Sequence, residues 1–218
     1  MPKVKMPRSS PSLDMTPMVD LAFLLVTFFM LTTQFRAAEP VIVDTPSSIS
    51  EKILPTNVML VTVDPDGRAF YNINGKEVRL KTLERMGQQY KVQFTEEEKN
   101  RFSVMTSFGV PIQQLKEYVM MTDPERLKVP SPGIPRDSMN NQLGDWINFG
   151  RIEAARDAKR QKDEAEAKGI GFKYEPLRFA IKGDGKASYK SVKEVIDVFK
   201  KKEVFRFNLI TNLEAQEK

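Results

Sequence analysis

The sequence of 218 residues contains no cysteine and no histidine. Without cysteine there is neither a thiol nucleophile nor a disulfide, and without both residue types the usual zinc sites are excluded. Imidazole is likewise missing as a general base. The chain also lacks a block of like charge, since its net charge of +5 comes from 34 basic and 29 acidic residues spread along its length. We therefore expect no metal site, no cofactor and no binding of nucleic acid.

Long apolar runs are scarce too, and the one that is present covers residues 18–35. At about 1.5 Å per residue, a helix of this length measures about 27 Å, close to the hydrocarbon core of a bilayer. Lys3, Lys5 and Arg8 precede the run. The positive-inside rule then predicts a cytoplasmic N-terminus and an external segment after Arg36. A cleaved signal peptide is the alternative, which the acid inside the run disfavours.

That acid is Asp20, near the start of the run. An aspartate costs about 2.5–3.5 kcal/mol at the centre of a transmembrane helix, so an acid retained there is by default a candidate functional group. Thr16-Pro17 is typical of a helix start, because threonine can cap and proline at the first position loses no needed N–H. Asp20 and Thr27 are seven residues apart and share a helix face. Alternatively, Asp20 only faces the headgroups, where an acid favours the helix dipole.

The residues that lead into the run resemble the N-terminal signature of the ExbD/TolR family. The specific part is Thr-Pro-x-x-Asp ahead of a transmembrane helix, which occurs here within LDMTPMVD at residues 13–20. Asp44-Thr45-Pro46 is similar to the short motif, typically Asn-Leu-Pro, that the family carries just outside the membrane.

The resemblance covers about residues 10–92 and 175–212. It implies that Asp20 is the proton-carrying acid and that Thr27 is a polar residue on the same face. It also implies a single-pass protein of the bacterial inner membrane, with a cytoplasmic N-terminus and a C-terminal domain in the periplasm. The implied partners are a second copy of the chain, a surrounding ring of an ExbB/TolQ-like polytopic protein, a TonB/TolA-like periplasm-spanning protein and the lipid bilayer.

By this resemblance the chain would be a subunit of a proton-driven motor and not an enzyme. Proton flow through Asp20 would then do work on the outer membrane, in TonB-type import or Tol-type envelope maintenance. The alternative is a membrane-anchored periplasmic binding or scaffold module in which Asp20 carries no proton. An envelope enzyme is disfavoured, because the sequence offers no paired acids with a plausible cleft, no supported serine–lysine motif and no glycine-rich phosphate loop.

Outside the membrane, the sequence predicts a small α+β sandwich domain with a long helical insertion. Strands are predicted at residues 57–63, 68–73, 177–182 and 204–210, from alternating apolar residues bounded by turn signals. An exposed sheet edge would offer a place for dimerisation or for a partner peptide to add as a strand. The predicted organisation is a cytoplasmic tail (1–15), a transmembrane helix (16–36), a periplasmic linker (37–56), the α+β domain (57–92 and 175–212) and the insertion (93–174).

The insertion has helical patterns. Thr95 and Glu98 have the spacing of a capping box, and a short helix is predicted to start at Pro111. Residues 139–168 predict a long helix whose second half is almost wholly charged. We expect this half to be a solvated helix that projects from the domain. The alternative is a docking arm for a second partner, with the apolar residues around Trp146 as its contact point.

Gly183-Asp184-Gly185 ends the predicted strand at 177–182. A glycine–acid–glycine triplet also occurs in calcium and phosphate loops, but three residues do not make either site. The triplet therefore predicts a turn.

Overall fold

In the structure, a computed structural model, residues 15–32, 47–48, 57–171, 173–210 and 212–213 are described. The chain divides into two compact units, residues 1–37 and 38–218. The first unit contains helix α1 (Thr16–Thr32). No helix in the described part of the chain has both the length and the apolar character needed to cross a membrane.

The second unit contains short strands and several helices. Its strands are β1 (Ser47–Ser48), β2 (Val58–Val63), β3 (Ala69–Ile73), β4 (Arg178–Gly183), β5 (Asn208–Ile210) and β6 (Asn212–Leu213). Its helices are α2 (Lys76–Tyr90), α3 (Glu96–Val104), α4 (Leu115–Met120), α5 (Asp123–Lys128), α6 (Gln142–Ala167) and α7 (Tyr189–Lys201).

Four of the strands form one mixed sheet in the order β3-β2-β4-β5. β2 and β3 are an antiparallel hairpin, whereas β2, β4 and β5 run parallel. Parallel neighbours need long crossover connections, which the helices between β3 and β4 and helix α7 provide. β1 and β6 pair in parallel as a separate two-stranded sheet. The predicted α+β class is confirmed in the form of a mixed sheet with several helices.

The turn of the hairpin is held by Asp64. Its buried carboxylate accepts hydrogen bonds from the backbone N–H of Arg68 at 2.7 Å and from Arg68 Nε at 2.6 Å. Gly67 has a φ of +79°, a conformation that glycine adopts without steric cost. Local turn chemistry therefore fixes the hairpin where the Asp-Pro-Asp-Gly sequence predicts it.

One face of the sheet carries the hydrophobic core. Tyr71, Val61 and Ile181 are neighbours across β3, β2 and β4, and all three are buried. Their side chains lie on the same face because paired residues of adjacent strands point the same way. This face packs in one core with the helices of the second unit.

The middle of that core is an aromatic cluster. The ring of Trp146 on α6 lies 5.7 Å from Tyr71, 6.0 Å from Phe102 and 4.9 Å from Phe108, measured between centroids. Trp146 has no exposed surface. The hypothesis that Trp146 is the contact point of a docking arm is therefore wrong, because the apolar half of α6 is interior.

The second half of α6 is exposed and charged, as predicted. Lys162 Nζ lies 3.5 Å from Glu166 Oε1, and Arg160 Nε lies 4.0 Å from Glu164 Oε1. Exposed pairs of this kind support a helix by only about 0.3–0.5 kcal/mol each. The charges therefore keep this half of α6 in water without adding much stability.

Two predicted boundaries are wrong. The short helix expected from Pro111 begins at Leu115, because Ile112 donates its backbone N–H to Gln142 Oε1 at 2.9 Å and the intervening residues form turns. The last strand is also shorter than predicted: β5 pairs with β4 only from Asn208, opposite Ala180. In both places a tertiary contact decides where the element starts.

The predicted linker, residues 37–56, lies largely outside the described residues. Within it the structure describes Ser47–Ser48, whose backbone pairs with Asn212–Leu213.

Gly183 of the Gly183-Asp184-Gly185 triplet is the last residue of β4. A turn begins at Asp184, and in it Ala187 donates its N–H to the Asp184 carbonyl oxygen at 3.0 Å. The prediction that this triplet ends the strand in a turn is confirmed.

Candidate functional site

Helix α1 exposes apolar side chains all around its circumference. Each of its large apolar residues is more than half exposed, and none of its residues is buried. A helix that is apolar on every side normally lies in a protein core or in a membrane. Among the described residues of the first unit, no contact removes this apolar surface from solvent.

Asp20 is the only charged residue of α1. It lies five positions into the helix, past the first turn, where the helix dipole stabilises an acid most. Its neighbours along the chain, Val19 and Leu21, are both apolar and exposed. Any environment that covers α1 must therefore also accommodate this one carboxyl group.

Thr27 lies on the same face as Asp20, two turns further along. Its hydroxyl donates to the carbonyl oxygens of Phe23 and Leu24, each at 2.9 Å. The donor is thus satisfied within the helix, so Thr27 tolerates apolar surroundings at low cost. The hydroxyl oxygen keeps the capacity to accept a hydrogen bond. Thr27 could therefore receive a proton donor on this face, but it offers no proton of its own.

The start of α1 agrees with the sequence prediction. The helix begins at Thr16, and Pro17 follows in the first turn, where its missing N–H is not needed. Val19 donates its N–H to the Met15 carbonyl oxygen at 3.0 Å. The structure thus brings Thr16, Pro17, Asp20 and Thr27 together on one helix. Residues 44–46, the predicted linker motif, lie outside the described residues.

In the second unit the sheet ends at strand β5. Among the described strands of this sheet, β4 is the only neighbour of β5, so β5 is an edge strand. Leu209 on β5 is 56% exposed. An edge strand with an exposed apolar side chain is a ready place for another strand to pair.

A cleft of about 290 Å³ lies beside the start of α2, between α6 and residues 173–175. Val78 contributes to its apolar lining. Asp157 contributes a carboxylate that Arg160 contacts at 2.5 Å and Gln161 at 2.7 Å. Both carboxylate oxygens of Asp157 are therefore already engaged within the protein.

Arg79 is a half-buried cation whose role the sequence does not predict. Its guanidinium donates to the carbonyl oxygens of Ile73 at 2.7 Å, Ser103 at 3.1 Å and Met105, and to Asn72 Oδ1 at 3.1 Å. Burial lowers the pKa of this guanidinium. Because these acceptors are uncharged, Arg79 acts as a structural link from α2 to β3 and to the end of α3. Its position in the sequence carries no signal of this role.

Two comparisons found nothing: no curated protein and no solved structure matches the chain. The family model described as biopolymer transport protein ExbD/TolR matches residues 6–122, more than half of the chain. This match includes residues 93–122, which the sequence analysis assigned to the insertion, and ends before residues 175–212. The first unit, with Asp20, lies within it.

Proteins of this family are inner-membrane subunits associated with transport and with energy transduction driven by the proton-motive force. They are not enzymes, and they generally work with ExbB/TolQ and TonB/TolA types of partner. The apolar helix with one acid and the extent of the match agree on one assignment: the chain belongs to the ExbD/TolR family.

Proposed function

We propose that this protein is the membrane subunit of a proton-driven motor complex and that Asp20 is its proton-carrying group. The observation that supports this most is the combination found on α1, a single carboxyl group on a helix that is apolar on every side. An aspartate opposes membrane insertion, by about 2.5–3.5 kcal/mol at a helix centre and by less near the helix start where Asp20 lies, and a passive anchor gains nothing from it in return.

The proposed membrane segment is residues 16–36, which consists of α1 and the residues that continue the apolar run. The basic residues before it favour a cytoplasmic N-terminus, and the second unit then lies in the periplasm. The protein is a single-pass protein of the inner membrane in this proposal.

The energetics of one proton suffice for coupled motion. A unit charge that crosses about 100 mV releases about 2.3 kcal/mol. An acid that is neutral in apolar surroundings and ionised beside a polar path makes each orientation of the helix depend on proton uptake or release. Thr27, seven residues and about 10 Å further along the same face, would keep that face polar along the path of the proton.

The proposed assembly follows the family pattern. Two copies of α1 would lie inside a ring of an ExbB/TolQ-like polytopic protein, which covers the apolar surface of the helix. The second unit would pass work to a TonB/TolA-like protein, with the exposed edge at β5 as a place for contact. Residues 44–46 would act as the short motif between membrane and domain. The work would serve TonB-type import or Tol-type envelope maintenance.

The test is a pair of substitutions at Asp20 in the full chain, expressed with its membrane partners. Asp20→Asn should leave membrane insertion and copurification of the complex intact and should abolish energy-dependent outer-membrane function. Asp20→Glu should retain part of that function, because it keeps the acid. Asp163→Asn, on the exposed half of α6, is the matched control and should be silent.

Normal outer-membrane function in the Asp20→Asn protein would contradict the proposal. It would instead favour the second candidate, a membrane-anchored periplasmic binding or scaffold module. The cleft beside α2 and the edge at β5 are the surfaces of the second unit that such a module would use.

A further inference from the structure

Helix α7 has one buried face and one basic face. Val195, Val198 and Phe199 are buried in the core. The opposite side of α7, the basic face, consists of exposed lysines, namely Lys190, Lys193, Lys200 and Lys201. At 3.6 residues per turn these four fall within one arc of the helix.

Among the described residues, no ion pair engages any of the four lysines of the basic face. Glu194 on the same helix is already paired with Arg136 at 2.9 Å. Asp197 is half-buried at the middle of the face, and Glu203 is exposed beyond the helix end. The basic face therefore keeps a net positive charge.

This arrangement contrasts with the other long charged surface of the unit. On α6, Arg160 is paired with Asp157 at 2.5 Å and Lys162 with Glu166 at 3.5 Å. Residues 151–167 of α6 contain five basic and five acidic side chains and so carry no net charge, whereas α7 contains four basic and two acidic side chains. A solvated helix alone explains α6, but the excess charge on α7 favours an anionic counterpart.

Two exposed aromatic side chains are close to the basic face in sequence. Tyr189, the first residue of α7, is 80% exposed, and Phe205, four residues after the helix end, is 73% exposed. Arg206 beside Phe205 is also exposed. Aromatic rings next to lysines and arginines are the composition of surfaces that lie in the headgroup region of a bilayer.

We propose that the basic face of α7, with Tyr189 and Phe205, docks the second unit onto an anionic phospholipid surface. The lysines contact phosphate-bearing headgroups, and the two rings enter the interfacial layer. This docking proposal rests on the proposed membrane location in one respect, which is that the location brings a bilayer within reach of the second unit. An acidic protein is the competing occupant, and the experiment below separates the two.

Because the sequence contains no cysteine, one introduced cysteine can be labelled at a single chosen site. A single cysteine is introduced by Lys193→Cys and labelled with an environment-sensitive fluorophore, in the full chain reconstituted into vesicles. The vesicles contain phosphatidylcholine alone or phosphatidylcholine mixed with phosphatidylglycerol, each with and without a brominated lipid that quenches the label. Glu164→Cys, on the exposed half of α6, is the matched control.

We expect bromolipid quenching of the label at position 193 in the anionic vesicles and little in the phosphatidylcholine vesicles. High salt should weaken the quenching, because the attraction is confined to about a Debye length, ~10 Å at 0.1 M. Each further substitution, Lys190→Gln, Lys200→Gln or Lys201→Gln, should lower the docked-to-free ratio about fivefold. The label at position 164 should not respond.

Three results would overturn the docking proposal. They are equal quenching in both vesicle types, no quenching in either, and a response at position 193 that requires an added acidic protein. Resistance of the chain to alkaline carbonate extraction is measured on the same vesicles and reports on the membrane segment alone. An extractable chain with anionic-dependent quenching would overturn the proposed membrane span and leave the docking standing, so the two failures are distinguishable.

Discussion

Gly150 of α6 lies directly against Tyr71 of β3, so closely that a methyl group on Gly150 would overlap the tyrosine hydroxyl oxygen. The same methyl would lie 2.8 Å from Met59 Cε and 3.1 Å from Ile73 Cδ1. Helix and sheet can approach this closely only because residue 150 has no side chain. The position of α6 over the sheet, and with it the placement of Trp146, depends on this contact.

Gly150→Ala should therefore destabilise the protein. Intrinsic helix propensity alone would favour alanine by about 1 kcal/mol, but overpacking of a tight core costs about 1–3 kcal/mol. We expect a net loss in the free energy of unfolding of the full chain in detergent. Denaturant titration followed by the fluorescence of Trp146, the single tryptophan, measures it.

The control for this substitution is Gly171→Ala, because a methyl there meets no atom within 4 Å. It should change the free energy of unfolding by no more than about 0.5 kcal/mol. If Gly150→Ala were as stable as the parent protein, the close packing of α6 on β3 would be incorrect.

Arg79→Leu should also be strongly destabilising. The substitution leaves the carbonyl oxygens of Ser103 and Met105 without their donor, and each buried unsatisfied group costs about 1–3 kcal/mol. We expect a loss of at least about 2 kcal/mol. Lys81→Ala, which removes an exposed 3.0 Å pair with Glu84, should cost less than about 1 kcal/mol in the same assay. Equal effects of the two substitutions would refute the structural role of Arg79.

Stability at alkaline pH should depend on Tyr71. Burial raises the pKa of its phenol, so the folded state holds this proton more tightly than the unfolded state. The stabilisation is fully present below about pH 10, the pKa of an unfolded tyrosine. Above that pH this one proton lowers the free energy of unfolding by about 1.4 kcal/mol per pH unit, because the phenol ionises first in the unfolded state.

Tyr71→Phe removes this proton and should make the decline above pH 10 shallower, although the hydrogen bond to the Trp146 carbonyl oxygen, at 3.2 Å, is lost at every pH. Unfolding titrations across the alkaline range measure the slope. Tyr189→Phe, at an exposed site, should leave the slope unchanged. An unchanged slope in the Tyr71→Phe protein would mean that the phenol is not buried as described.

Local signals in the sequence predict the parts of the fold that local chemistry determines. The hairpin follows from the Asp-Pro-Asp-Gly turn, which Asp64 closes onto Arg68, and α3 begins at the predicted capping box of Thr95 and Glu98. The helical spacing of Val192, Ile196 and Phe199 likewise predicts the helix that the structure shows as α7. In each case the residues that decide the structure are within a few positions of one another.

Tertiary contacts were not predictable in the same way. The apolar half of α6 carries the same helical pattern whether Trp146 is buried or presented to a partner, so the pattern alone does not decide between them. The start of α4 depends on Gln142, which is distant in sequence. The half-buried position of Arg79 depends on carbonyl groups from β3 and from the end of α3.

The candidate site on α1 depends neither on local turn chemistry alone nor on tertiary contacts within the chain. Asp20 and Thr27 could be assigned to one helix face from spacing alone, and the structure adds that Thr27 satisfies its own donor within the helix. The proton-carrying role of Asp20 remains a proposal, since it depends on the surroundings that other chains supply.

The most direct test of that role is infrared difference spectroscopy on the full chain reconstituted with its membrane partner, with the Asp20→Asn protein as the subtraction reference. The account predicts a protonated-carboxyl band that is specific to Asp20 and that appears and disappears as the pH is cycled across neutrality. A spectrum that contains only the carboxylate band of Asp20 under all of these conditions would contradict it.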